Sequence, residues 1–210
     1  VQNDRIVLRR GGITAAEGLM VSRSLMYTTV YFHETVRIAQ RMLTKAVENS
    51  GLDLSDMYLK GDADLMAMVE ASGGKPARSM RRIKARMLDK KAFAVYSDDM
   101  TEEKAEVLLE YTGREGARRL EQEVADAAGV DVFTVGAEVT SRSNLQGRMK
   151  IGKTDVAIAD DGGRIKSLAK FSPIARSLQA RDPYGWAVLI SAPKEDRDAV
   201  RRAASKVLGF

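Results

Sequence analysis

The sequence has 210 residues, 44% of them apolar, with 34 basic and 29 acidic side chains and no cysteine. That length and apolar share can bury a core as one domain or two small ones, and the lack of thiols excludes disulfides, cysteine-ligated zinc and cysteine nucleophiles. The net charge of +5 suits a phosphate-bearing ligand or nucleic acid, and equally an ordinary protein surface.

"DRIVLRRGG" reads as a short strand, Ile6 to Leu8, ended by a Gly-Gly turn. "TAAE" places Thr14 at a helix N-cap with Glu17 three residues on, a capping box. From there Leu19, Met26, Val30, Ile38 and Met42 keep a helical spacing up to a stop at Gly51. One helix over about 14–50 is expected, ~50 Å long at ~1.5 Å per residue, crossing a larger assembly. Shorter helices follow at Asp62–Ala71, closed by Gly73-Gly74, and at Pro76–Leu88, with proline in the first turn. Ala92–Tyr96 reads as a strand, and "TEEKAEVLLEY" and "REGARRLEQEVADAAG" as helices, the second closed by Gly129.

The texture then changes. "VDVFTVGAEV" alternates as a strand does, and "SRSNLQGRMKIGKT" reads as a loop. "DVAIADDGGRIKSL" reads as a hairpin turning near Asp161-Gly162. Ser172-Pro173 caps a short helix, "GWAVLISAP" is a strand, and "KEDRDAVRRAASKVL" is a closing helix. The expected fold class is α+β and predominantly α. A helical region with the long helix fills 1–128, and a small α+β subdomain with an antiparallel or mixed sheet fills 129–210. No apolar run approaches the ~20 residues that span a bilayer. No signal peptide opens the chain, so no membrane partner and a cytoplasmic setting are expected.

Three constellations carry possible chemistry. Arg23, Tyr27 and Tyr31 are spaced i, i+4, i+8 and share a helix face. A guanidinium can fork onto phosphate oxygens, and tyrosines can bond or stack on a sugar, although half-buried core tyrosines give the same spacing. "KPARSMRRIKARMLDKK", Lys75 to Lys91, holds eight basic residues and one acidic. Arg78, Arg82 and Arg86 form a candidate basic stripe for phosphate, with Met80, Ile83 and Met87 facing inward. A solvated helix face is the plainer reading. Paired Asp160 and Asp161 could bind Mg²⁺, but a hairpin turn explains them. His33 is the single histidine, so a metal centre within this chain would rest on carboxylates, and none is expected.

"LMVSRSLMYTTVYFHETVRIAQRML", Leu19 to Leu43, resembles the long helix that follows the catalytic core in HD-superfamily phosphohydrolases of the deoxynucleotide triphosphohydrolase type. "RRLEQEVADAAGVD", "IADDGGRIKSLAKFSPIARSL" and "WAVLISAP" resemble the C-terminal region of the same group. In that family a divalent metal is held by two histidines and two aspartates, including an adjacent His-Asp pair. This chain has no such pair, so it looks like the portion that follows the metal-binding core.

The resemblance implies that the longer protein is a hydrolase of deoxynucleoside triphosphates and that this chain alone is inactive. It also implies a dNTP-like ligand, a homo-oligomer and a divalent metal held upstream. Arg23 and Tyr31 match substrate-holding positions, and Tyr27 falls where members have a histidine. His33 matches a histidine near a regulatory nucleotide site, but the next position, basic in those members, is Glu34 here, and a carboxylate repels phosphate. Two rival readings stand beside this one. One is a non-enzymatic nucleotide-binding regulatory or oligomerisation module. The other, less favoured, is a nucleic-acid binder using the Lys75–Lys91 face.

Overall fold

The computed structural model describes residues 6–55, 57–140, 156–160, 162–180 and 185–210. The chain divides into two compact units, Val1–His33 with Ser143–Gly185, and Glu34–Arg142 with Trp186–Phe210. Each unit draws on two separated stretches, a division unlike the expected boundary at residue 128.

In the first unit, β1 (Leu8–Arg9) runs parallel to β4 (Ala157–Ala159), which pairs antiparallel with β5 (Ile165–Ser167). Helix α1 (Ile13–Met26) buries Ala16, Met20 and Ser24, one residue per turn. Ala16 and Met20 close on Ile158, Leu168 and Ala175, the last from α7 (Pro173–Ala180). Ser172 caps α7 as expected, its Oγ accepting from the Ala175 amide at 2.9 Å. The β4–β5 hairpin also follows expectation, and Asp160 organises it. Its Oδ1 accepts from the Gly162 and Arg164 amides at 3.0 and 2.9 Å, and its Oδ2 from Lys166 Nζ at 2.9 Å. Asp161 and the loop expected at 141–154 lie outside the described residues.

The second unit centres on an antiparallel sheet ordered β2 (Lys90–Tyr96), β6 (Trp186–Ala192), β3 (Gly136–Val139). All seven residues of β6 are buried, which explains its continuous apolar sequence. Around this sheet stand α2 (Glu34–Glu48), α6 (Gly113–Ala128) and α8 (Arg197–Leu208), with the short α5 (Glu102–Leu109) preceding α6 in the chain. Helix α2 also packs on α4 (Gly74–Lys84), which packs on α3 (Asp62–Ala71), and Ala46, Val69 and Met80 are buried among them. Helix α6 ends as expected at Gly129, whose φ of 68° suits a residue without a Cβ.

Four expectations are corrected. The segment over 14–50 is two helices, not one. After α1 the chain takes a wide turn, Tyr27–Tyr31, in which Phe32 N–H donates to Tyr27 O at 2.9 Å, five residues back. No glycine or proline lies there. Instead the hydroxyls of Thr28 and Thr29 donate to Leu25 O at 3.1 and 2.8 Å and compete for the carbonyl that an α-helical amide would use. Second, the N-cap of α1 is Gly12, and Thr14 lies inside the first turn. Third, α4 stops at Lys84 and Arg86 turns away with φ of 58°, so Arg86 leaves the Arg78–Arg82 stripe and Met87 is exposed. Fourth, only the last four residues of "VDVFTVGAEV" are strand. Asp131 takes the Phe133 amide at 2.9 Å and starts a tight helical turn before them.

Candidate functional site

The first candidate surface is built by the wide turn. In an α-helix, residues five apart point well away from each other. Here the turn sets Phe32 over Tyr27, and the two rings stack with centroids 5.6 Å apart. Tyr31 meets Tyr27 edge-on at 5.3 Å. Arg23 lies one turn below, its guanidinium 5.1 Å above the Tyr27 ring and donating to the Tyr27 hydroxyl at 2.8 Å. Arg23 and Tyr31 are exposed and Tyr27 is half-buried. Three rings and one guanidinium thus form a pre-ordered patch, each aromatic contact adding ~0.5–1.5 kcal/mol beyond burial. His33 is exposed at the end of this patch. Its neighbour Glu34 is engaged in the second unit, accepting from Lys91 Nζ at 3.1 Å and from the Tyr96 hydroxyl at 2.8 Å. Hydrogen bonds to Glu34, foremost, and to the Tyr96 hydroxyl hold the Lys91 ammonium above its ordinary range.

The second surface is a basic cleft inside the second unit. Cations from two helices line it, Arg41 and Lys45 from α2 with Lys75, Arg78 and Arg82 from α4. Its far wall is Phe133, Thr134, Gly136 and Ser191, and it encloses about 250 Å³. A wider recess of about 650 Å³ adjoins it and shares Arg41, Lys45, Lys75, Asp131 and Phe133.

Beneath the cleft is a buried ion cluster. Glu121 of α6 is 3% exposed and accepts from Arg41 Nε at 2.8 Å, Lys45 Nζ at 3.1 Å and the Ala137 amide at 2.8 Å. Lys45 Nζ also donates to Val132 O at 2.7 Å and to Val135 O. Burial pushes the Lys45 ammonium below its ordinary value, with Glu121 opposing. Lys45 is therefore a structural cation with every proton placed. Arg82 pairs with Asp89 at 2.9 Å, and burial raises the Asp89 carboxyl although Arg82 opposes this. Lys75 pairs with Asp131 at the rim. Arg78 is exposed and makes no hydrogen bond or ion pair among the described residues.

The structure therefore brings Arg23, Tyr27 and Tyr31 together, and brings Arg78 and Arg82 together, while Arg86 joins neither group. The ion cluster escaped the sequence reading, although Arg37, Arg41 and Lys45 repeat every four residues as Arg23, Tyr27 and Tyr31 do. Arg37 opens that stripe by pairing with Glu138 through both Nε and Nη2.

The chain belongs to the HD-associated region family, which matches residues 1–210. It is 29% identical over 195 residues to an uncharacterized protein of Methanocaldococcus jannaschii, covering 91% of this chain and 40% of that protein. Its fold is similar to the crystal structure of a phosphohydrolase from Bacteroides thetaiotaomicron. That similarity has a TM-score of 0.55 and 17% identity and covers 92% of this chain and 53% of the other. The chain thus spans about half or less of the length of these proteins.

Proposed function

We propose that this chain is the C-terminal portion of a metal-dependent HD phosphohydrolase acting on deoxynucleotides, and that it supplies a substrate-side wall and subunit contacts. The observation that carries the reading is the exposed Arg23–Tyr27–Tyr31 patch in a chain of the HD-associated family.

In this reading Arg23 neutralises phosphate charge. Tyr27 holds one guanidinium nitrogen in place, which leaves the others to donate to phosphate oxygens. Tyr31 offers its hydroxyl and ring face to the sugar. The outer face of α1 and the wide turn is also apolar and open, with Leu19 70%, Leu25 51%, Met26 43% and Val30 38% exposed. A surface of that kind calls for a covering neighbour. The rest of the longer protein fits that role, because relatives run to about twice this length.

The described residues do not fit a metal centre, since no three histidine or acidic side chains converge among them. The ion belongs to residues outside them. When bound it supplies an activated water and charge neutralisation.

The test is hydrolysis of deoxynucleoside triphosphates by the longer protein with Mg²⁺ or Mn²⁺. The Arg23→Ala and Tyr31→Ala variants and the 210-residue chain alone run in parallel. Loss of a charge-assisted hydrogen bond lowers kcat/KM for Arg23→Ala by roughly tenfold to a hundredfold, and the chain alone is inactive. Unchanged kcat/KM in Arg23→Ala, or turnover by the isolated chain, refutes the reading.

A further inference from the structure

The basic cleft of the second unit belongs to neither the catalytic reading nor the Arg23 patch, and its composition points to a ligand. Six cations line the cleft and its adjoining recess against four carboxylates, with Arg118, Glu48 and Glu121 entering from the recess side. The surplus is two positive charges in a concavity, where low-dielectric walls concentrate the field.

The cations differ in how firmly they are held. Lys45 is fully coordinated below the floor. Arg41 is anchored to Glu121 Oε1 through Nε at 2.8 Å and Nη2 at 2.7 Å. Lys75 is paired with Asp131 at the rim, where both side chains are well exposed at 59% and 41%. An exposed pair is worth at most ~1 kcal/mol and re-forms readily around a stronger anion. Arg82 is shared with Asp89 and half-buried. Arg78 is uncommitted among the described residues. One uncommitted guanidinium and one releasable ammonium thus line one space.

Neutral groups complete the lining. Ser79 brings a hydroxyl donor, Thr134 and Ser191 bring hydroxyls that donate to Asp131 O at 2.7 Å and Gly136 O at 3.5 Å, and Phe133 brings an apolar face. Gly136 keeps the wall thin. A Cβ there would lie 2.7 Å from Ser191 Oγ and 3.2 Å from Arg41 Cγ. The wall is therefore packed closely against Ser191 and the aliphatic stem of Arg41.

We propose that this cleft binds the polyphosphate of a nucleotide-type ligand. Arg78, Lys75 and Arg82 clamp the phosphates, the Ser79 hydroxyl donates to one of their oxygens, and Phe133 covers the sugar or base. The size agrees, since the cleft and recess together fall within the ~300–1,000 Å³ of small-molecule sites. Nucleic acid fits less well, because the basic run from Lys75 to Lys91 does not form an open row. Lys84 is turned to Glu70 and Lys91 to Glu34, and Arg86 leaves the helix.

The test is calorimetric titration of the protein with inorganic triphosphate and with a deoxynucleoside triphosphate. The same titrations are run on Arg78→Ala, Arg78→Lys, Lys75→Ala and Arg23→Ala. The expected result is saturable binding of both probes, weakened about tenfold or more by Arg78→Ala and partly restored by Arg78→Lys, with the Arg78-dependent component still present in Arg23→Ala. Arg78 is exposed, so its replacement leaves the fold intact. Three outcomes overturn the proposal. The first is no saturable binding of either probe. The second is binding that Arg23→Ala abolishes and Arg78→Ala leaves intact, which assigns the ligand to the helix patch alone. The third is an affinity for single-stranded oligonucleotides that grows with their length and outcompetes the triphosphate, which makes the face a nucleic-acid surface. Because Arg23→Ala is scored separately, failure of this site and failure of the hydrolase reading are distinguishable.

Discussion

Lys45 Nζ lies 3.1 Å from Glu121 Oε2, with the two side chains only 10% and 4% exposed. The pair joins α2 to α6, and through the carbonyls of Val132 and Val135 it fixes the loop that forms one wall of the cleft. Removing one member of a buried ion pair strands the other, which costs more than the pair itself contributes.

Glu121→Ala strands two cations and the Ala137 amide. A loss of ~3–5 kcal/mol is expected, near 10 °C in Tm at this chain length. Lys45→Met combined with Glu121→Leu restores part of it, because it removes both members of this pair while Arg41 and the Ala137 amide still lose their acceptor. Thermal unfolding of the single and double variants checks the coupling. Additive losses would show that the two side chains act independently.

Gly136→Ala tests the thin wall. The added methyl meets Ser191 Oγ and Arg41 Cγ, both in a packed region. Overpacking of this kind costs ~1–3 kcal/mol. Ser191→Ala in the same chain removes the nearer clash and recovers part of the loss. Chemical denaturation of both variants reads the difference directly.

Asp160 gives a pH dependence of known sign. Its hydrogen bond from Lys166, with the Arg164 amide next, holds the carboxyl well below the usual 3.8. The folded-state value is depressed, so the contribution is fully present above the unfolded value and is lost as pH falls toward the folded one. Asp160→Asn keeps the size and loses the charge. Its deficit in Tm relative to the parent therefore shrinks between about pH 7 and about pH 3. A deficit that stays constant over that range would mean the charge contributes nothing.

Thr28→Ala with Thr29→Ala removes the two hydroxyls that hold Leu25 O. The turn then tightens toward ordinary α geometry, and the Tyr27–Phe32 stack opens. Stability changes by no more than ~1 kcal/mol. Far-UV helicity rises while the near-UV tyrosine signal falls, and Arg23-dependent affinity falls with it. An unchanged near-UV spectrum would show that the turn is imposed by something other than these hydroxyls.

Local chemistry was readable from the sequence and long-range chemistry was not. The hairpin at Asp160, the Gly129 stop, the Ser172 cap and the apolar run of β6 all follow from residues within a few positions of each other, and the structure places them as expected. The wide turn was hidden because threonines, not glycine or proline, produce it. Arg86 was placed on a stripe because periodicity continues past the point where the backbone leaves the helix. The Glu121 cluster was invisible for a different reason. Its partners on α2 lie 76 and 80 residues away, and only the sheet brings them together. Arg23, Tyr27 and Tyr31 were found by spacing, but the ring stack that orders them depends on a turn that spacing does not encode.

The position of β6 has a consequence for synthesis. It is the middle strand of its sheet, yet it emerges from the ribosome after both neighbours, about ninety residues behind β2. Until then β2 and β3 present unsatisfied edges to solvent or to each other. A nascent chain stalled before Trp186 is thus a ready substrate for chaperones or for self-association, and the second unit can reach its native state only once Trp186–Ala192 has been translated.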